Sequence, residues 1–259
     1  MNNKSFDEKR IATGYAKDRP FLHKLVIEQL KKDCSINTPF QNGLDVGCGA
    51  GLSTKALRLL SDKVTGTDIS PEMIKLCRQL YPDSNFTFYT AKAEETRIPD
   101  TPYDIVTAAG VVNWVDKDAF AQNMIQVTTD NALLVIYDFW ISDKMTGNET
   151  YTQWYNEQYL PLFPKPPRQE NVWTAQDLPT GLQMKGQVAY QLQYPFEKES
   201  FIRFMMIQSN VNAQITAGHK SEAEIYAWMN KTLTPIFHSQ TKQLIFDGYS
   251  WYLQRTALK

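Results

Sequence analysis

Leu44-Asp45-Val46-Gly47-Cys48-Gly49-Ala50-Gly51 decides the fold of this 259-residue chain. An apolar strand runs into an acid, Asp45, and glycines follow at 47, 49 and 51. A helical pattern starts at once, with Leu52, Ala56, Leu59 and Leu60 on one face. Glycines at a strand-to-helix turn take positive φ and let a ligand approach the backbone. The helix start behind them offers N–H groups and a positive dipole end to an anion. The stretch therefore reads as a cofactor turn, with a tight βα turn that binds nothing as the alternative. A dinucleotide turn would need glycines at 47, 49 and 52, and position 52 is Leu.

Outward from this turn, strand and helix alternate from Gln41 to Trp140. The pattern predicts a strand at 42–47, a helix at 52–61 and a strand from Lys63 to Thr67. A helix then starts at Ser70-Pro71-Glu72, with a Ser N-cap and Pro in the first turn. Further strands are expected at Phe86–Thr90, Asp104–Ala109 and Ala132–Phe139. The continuous apolar run 132–136 reads as a strand buried on both faces. Alternating units of this kind imply an α/β fold with a doubly wound, mostly parallel sheet, whose ligands sit beyond the carboxyl ends of the strands. Past Trp140, residues 141–182 are rich in Pro, Tyr and Trp. Strands are expected at 186–194 and 243–255, and helices at 197–213 and 219–237. The expectation is one domain: an N-terminal helix and core at 1–140, with 141–182 and 197–240 as lid elements over the cofactor edge.

Net formal charge is −1, and 42% of the residues are hydrophobic. That suits a globular chain and argues against non-specific nucleic-acid binding. Residues 1–10 do not resemble a signal peptide, and no apolar run reaches a membrane span. A cytoplasmic protein is expected, monomeric or homodimeric, with neither membrane nor nucleic acid as partner. Cys34, Cys48 and Cys77 form no Cys-x-x-Cys pair, which fits a reducing compartment and no metal site. Cys48 reads as a small filler in the turn rather than a nucleophile.

Asp68 ends the second strand, where an acid accepts hydrogen bonds from ribose hydroxyls in other nucleotide folds; the alternative is a plain helix-start acid before Ser70. The pattern Asp-x-Gly-x-Gly-x-Gly resembles motif I of class I methyltransferases, which bind S-adenosylmethionine (SAM). Tyr15, Arg19-Pro20, the 44–51 turn, Asp68, Ala93-Glu94 and the end of strand four together resemble the type-11 methyltransferases. Within them the set is most similar to the branch related to trans-aconitate methyltransferase. That branch carries His-Trp-Phe-Asp after strand four. Here Asn113-Trp114-Val115-Asp116 keeps the Trp and Asp and replaces the His. The likeness covers roughly 10–140; beyond it only Phe201 to Asn212 is similar, to the family's cap helix.

This resemblance implies a seven-stranded Rossmann-like sheet, SAM as cofactor and S-adenosylhomocysteine as product. The implied cofactor contacts are Tyr15, Arg19, Asp45, Gly47, Cys48, Gly49, Gly51, Asp68, Ile69, Met73, Ala93, Glu94, Ala109, Gly110 and Trp114. Arg19 would pair with the methionine carboxylate, or stand solvated. The loop 91–99 would hold adenine, or be a solvated charged loop. Trp114 would turn its face to the sulfonium, or pack into the core or lid. The expected reaction carries a methyl group to a small-molecule acceptor, at oxygen, with a carboxylate among the candidates because it needs no base. Asn113, Arg203, His219 and Lys220 are the acceptor-binding candidates, and no catalytic base is named. The aromatic and Met-rich segment 201–206 points to an acceptor with an apolar part. The alternatives are a SAM-binding protein that transfers no methyl, and an RNA or protein methyltransferase.

Overall fold

The structure is a computed structural model that describes residues 18–97, 100–165 and 172–257. Seven strands form one sheet: β1 Phe40–Val46, β2 Ser61–Asp68, β3 Phe86–Thr90, β4 Tyr103–Ala109, β5 Thr128–Met145, β6 Leu182–Phe196 and β7 Lys242–Arg255. Their order is β3-β2-β1-β4-β5-β7-β6. The first five pair in parallel. Along β7 the partners run the other way. Ser142 Oγ donates to Ile245 O at 2.8 Å and Thr146 N to Gln243 O at 2.9 Å, so the number on β5 rises as that on β7 falls. The same holds against β6, through Gln191 to Asp247 at 2.8 Å and Tyr190 to Tyr249 O at 2.9 Å. The sheet is therefore mixed, with an antiparallel margin.

Register sorts the two faces. Asp45 lies beside Thr107, and Thr107 beside Val135. On the opposite face Leu44, Val106 and Leu134 join Val46, Ala108 and Ile136 in a core with Phe120, Met124 and Trp173. Residues 105–108 and 134–137 are buried without a break, as strands covered on both faces must be. β6 instead alternates exposed with partly buried positions, as an edge strand does.

The helices next to the parallel strands are α1 His23–Asp33, α2 Leu52–Leu57, α3 Pro71–Leu80 and α4 Lys117–Val127. α3 starts as its sequence predicts: Ser70 Oγ accepts from Met73 N–H, and Pro71 opens the helix. α2 is shorter than expected. It ends at Leu57 because Leu59 and Leu60 N–H turn back to the carbonyls three residues earlier, and Leu59 is left exposed. β2 then begins at Ser61, ahead of the expected Lys63.

Beyond β5 come α5 Glu149–Gln153, which continues as a π-helical turn through Tyr159, then α6 Lys198–Met206, α7 Ser209–Thr216 and α8 Glu222–Phe237. The predicted helix 197–213 is two helices that break at Ile207–Gln208. The helix expected from 219 starts at Glu222, because Ser221 and Glu224 form a capping box there. Among the described residues the chain makes two compact units, one of 21–139, 172–190 and 248–257, the other of 18–20, 140–165 and 191–247.

Candidate functional site

Gly47, Gly49 and Gly51 all adopt left-handed φ, at 68°, 51° and 85°. Their surroundings differ. A Cβ on Gly47 would lie 2.3 Å from Val111 Cγ2, and one on Gly51 would lie 2.5 Å from the Tyr81 ring. A Cβ on Gly49 would meet nothing within 4 Å. Gly47 and Gly51 are thus required by packing, while Gly49 borders open space at the carboxyl end of β1.

The two acids of the turn have separate tasks. Asp45 is fully buried and points into the sheet's interior, not toward that space. Its Oδ2 accepts from Ser53 Oγ at 2.6 Å and Thr54 Oγ1 at 2.7 Å, and its Oδ1 from Thr107 Oγ1 at 2.8 Å. Burial pushes its carboxyl up to about 6, and the three hydroxyl donors oppose that rise. Asp45 thus ties the end of β1 to α2 and β4. Asp68 ends β2 and spans the turn. Its Oδ2 accepts from Gly49 N–H at 2.9 Å and its Oδ1 from Ser70 N–H at 2.9 Å. That leaves a half-buried carboxylate at the margin of the space beside Gly49.

Two thiols support the turn from below. Cys77 donates to Gly49 O at 3.1 Å, and Cys48 reaches the same oxygen at 3.8 Å. The Cys48 thiol is raised by its hydrogen bond with Cys77 and then by burial. A thiol so held is a filler and not a nucleophile. The loops after β3 and β4 are joined to one another. Glu94 Oε1 accepts from Asp116 N–H at 2.9 Å. Asn123 both accepts from Thr96 N–H and donates to Thr96 O, each at 3.0 Å. Ile69, directly after β2, and Trp114, after β4, are large apolar side chains left about half exposed, at 50% and 56%.

Of the other predicted contacts, Met73 is buried in α3 and Ala93 packs on the core. Ala109 and Gly110 end β4, and Asn113 lies in the short 3-10 turn Val112–Trp114. Tyr15 lies outside the described residues. Arg19 belongs to the other unit. In that unit Arg203 Nε donates to Asp18 Oδ1 at 2.9 Å, so its charge already has a carboxylate partner. His219 Nδ1 lies 2.9 Å from Gln214 Oε1, and both His219 and Lys220 are exposed ahead of α8 instead of opening it. Phe201, Phe204 and Met205 are buried against Phe196, Phe237 and Phe246, so they form this unit's own core. Sequence reading missed Thr107, whose hydroxyl within an otherwise apolar strand was the available signal, and Cys77, which helical spacing marked only as core. Among the described residues there is no group of three or more His, Cys, Asp or Glu side chains able to hold a metal ion. No helix among them is long and apolar enough to cross a membrane.

Residues 44–136 match the methyltransferase domain family. The ubiquinone/menaquinone biosynthesis C-methyltransferase UbiE of Shewanella sediminis (strain HAW-EB3) is 35% identical over 109 residues, 39% of this chain and 43% of that protein. Its counterpart in Vibrio vulnificus (strain YJ016) is 34% identical over 115 residues, 41% and 44% of the two chains. The chain thus spans less than half the length of the curated relatives it matches. Among solved structures, a candidate type II methyltransferase from Anaeromyxobacter dehalogenans superposes with a TM-score of 0.67 at 17% identity, covering 90% of this chain and 95% of that one. The [4+2]-cyclase SpnF superposes at 0.50 with 14% identity, covering 91% and 81%. These likenesses establish the α/β, Rossmann-like fold shared with class I methyltransferases.

Proposed function

We propose that this chain is a SAM-dependent methyltransferase acting on a small molecule. The observation that carries the reading is the open space at Gly49, bounded by the left-handed glycine turn and the Asp68 carboxylate. A ligand approaching there meets backbone with no side chain in the way, and an acid able to accept from vicinal hydroxyls. When bound, SAM would supply an activated methyl on a sulfonium. Asp68 would hold the ribose. Gly47, Cys48, Gly49 and Gly51 would form the floor. Ile69, Ala93 and Glu94 would meet the adenine, and Ala109, Gly110 and Trp114 the sulfonium side. Asp45 and Met73 would support from beneath. Arg19 and Tyr15 are kept as candidates for the methionine end by resemblance alone.

The chain's contribution to chemistry is to orient two reactants in line and exclude water. Methylation at oxygen, including of a carboxylate, is the first reading. Methylation at carbon is the second, favoured by the partial match to C-methyltransferases. The trans-aconitate branch stays a finer reading, supported by Trp114 and Asp116 after β4 alongside the wider type-11 set. A SAM-binding protein that transfers no methyl is the alternative. Release of S-adenosylhomocysteine from SAM, assayed against pooled phenols, enols, amines and carboxylates, tests the reading. SAM binding with no turnover across the whole pool would favour the alternative.

A further inference from the structure

Two acids stand near strand ends at the glycine turn, and a third lies within β5 level with the end of β4. Asp45 on β1 is bound to hydroxyls in the interior, and Asp68 on β2 spans Gly49 and Ser70. The third, Asp138 on β5, has no part in either arrangement. Register fixes its place. Ala109 of β4 lies beside Tyr137, and Gly110 N–H donates to Tyr137 O at 2.8 Å. Asp138 follows directly, next to Gly110. That glycine has φ 66°, and a Cβ on it would lie 3.3 Å from Asp138 Oδ1 and 3.9 Å from Oδ2. The missing side chain lets both carboxylate oxygens lie along the end of β4. Oδ1 also accepts from Phe139 N–H at 2.8 Å, which fixes the carboxylate's orientation. Asp138 is half-buried.

We propose that Asp138 faces the transferred methyl group and receives the acceptor's proton, an inference that rests on the cofactor reading above. In the step, an electron pair of the acceptor forms the new bond to the methyl carbon. The carbon–sulfur bond breaks with its pair going to sulfur. The acceptor's acidic hydrogen passes to Asp138 Oδ2. Charge balances: sulfonium and carboxylate give a neutral thioether and a carboxylic acid. The acceptor class is thereby narrowed to one with a proton to lose at neutral pH, such as a phenol or enol. A carboxylate acceptor is already ionised and would be repelled by Asp138.

Calorimetry tests this without an acceptor, using S-adenosylhomocysteine and sinefungin, in which an amine-bearing carbon replaces the methylated sulfur. The protonated amine stands where the methyl would be. The wild-type protein is expected to bind sinefungin about tenfold more tightly than the neutral thioether, through one charge-assisted hydrogen bond to Asp138. Asp138→Asn, which keeps an oxygen for Phe139 N–H, should lose that preference and retain its affinity for S-adenosylhomocysteine. An unchanged ratio of the two affinities in Asp138→Asn would overturn the assignment. Equal loss of both ligands would overturn it in favour of a structural role. If the wild type gave no heat with either ligand, the cofactor reading would fall and this inference with it.

Discussion

In the unit built on the parallel strands, polar side chains gather near the ends of β1, β2 and β4: Asp45 and Thr107 within the sheet, Asp68 at the glycine turn, and Asp138 of β5 beside Gly110. In the other unit the aromatic side chains stack on each other. Trp154 lies between Tyr159 and Trp228, and Phe163 touches both of those rings. Trp154, Tyr151, Tyr159 and Phe163 are all essentially inaccessible. Polar groups there serve that packing: Asn210 donates to Phe163 O at 2.7 Å, and Trp154 Nε1 donates to Thr232 Oγ1 at 3.0 Å. Aromatic composition alone therefore does not announce a ligand surface. What distinguishes the first unit is the pairing of uncovered backbone at Gly49 with a carboxylate, Asp68, that accepts from that same residue's N–H.

The comparison can be broken most forcefully at Trp154. Trp154→Ala should destabilise the protein by about 3–5 kcal/mol in urea unfolding, as loss of a large buried aromatic does. The folded fraction should still bind S-adenosylhomocysteine as the wild type does. Selective loss of that binding would show that the aromatic unit serves the cofactor.

Next in size is the pH dependence held by Asp45. Its carboxyl is raised to about 6 in the folded chain, from an ordinary 3.8. The folded state thus holds the proton more tightly. Stability from this group is complete below pH 4 and is lost as pH rises through 6, by about 3 kcal/mol. Asp45→Asn should flatten that part of the stability profile between pH 4 and 7. An unaltered slope would mean that Asp45 is not desolvated as the hydroxyl ring requires.

A smaller effect is expected at Asp68. Asp68→Ala should weaken S-adenosylhomocysteine binding by about tenfold to a hundredfold in calorimetry, since hydrogen bonds to a charged group are worth about 1.5–3 kcal/mol. Smallest of all is Arg203→Ala, at most about 1 kcal/mol of stability, because its pairing with Asp18 is half exposed. A change in acceptor KM for a proven substrate would return Arg203 to the acceptor site.

Local signals carried the parallel half. The strand Phe86–Thr90 has the bounds its pattern predicts, and Ser70-Pro71 caps α3 as read. What local sequence could not carry was contact across distance. Asp45's partner Thr107 is 62 residues away, so an acid beside a glycine turn read as a ligand contact. Arg203 and Asp18 are 185 residues apart, and no local signal announces their ion pair. The segment 201–206 packs on Phe196 nearby but also on Phe237 and Phe246, which lie outside any window of periodicity. Tertiary packing decides these cases, and only the glycine turn wrote its role into consecutive residues.

The central claim is that the space at Gly49 receives the adenosyl cofactor, and titration of S-adenosylhomocysteine into the wild type and into Gly49→Arg by isothermal calorimetry tests it most directly. The wild type should bind, and Gly49→Arg, whose side chain enters a position with nothing within 4 Å, should lose binding by at least about a hundredfold while staying folded by circular dichroism, its left-handed φ of 51° lowering the melting temperature somewhat. Equal affinity in the two proteins would contradict the account.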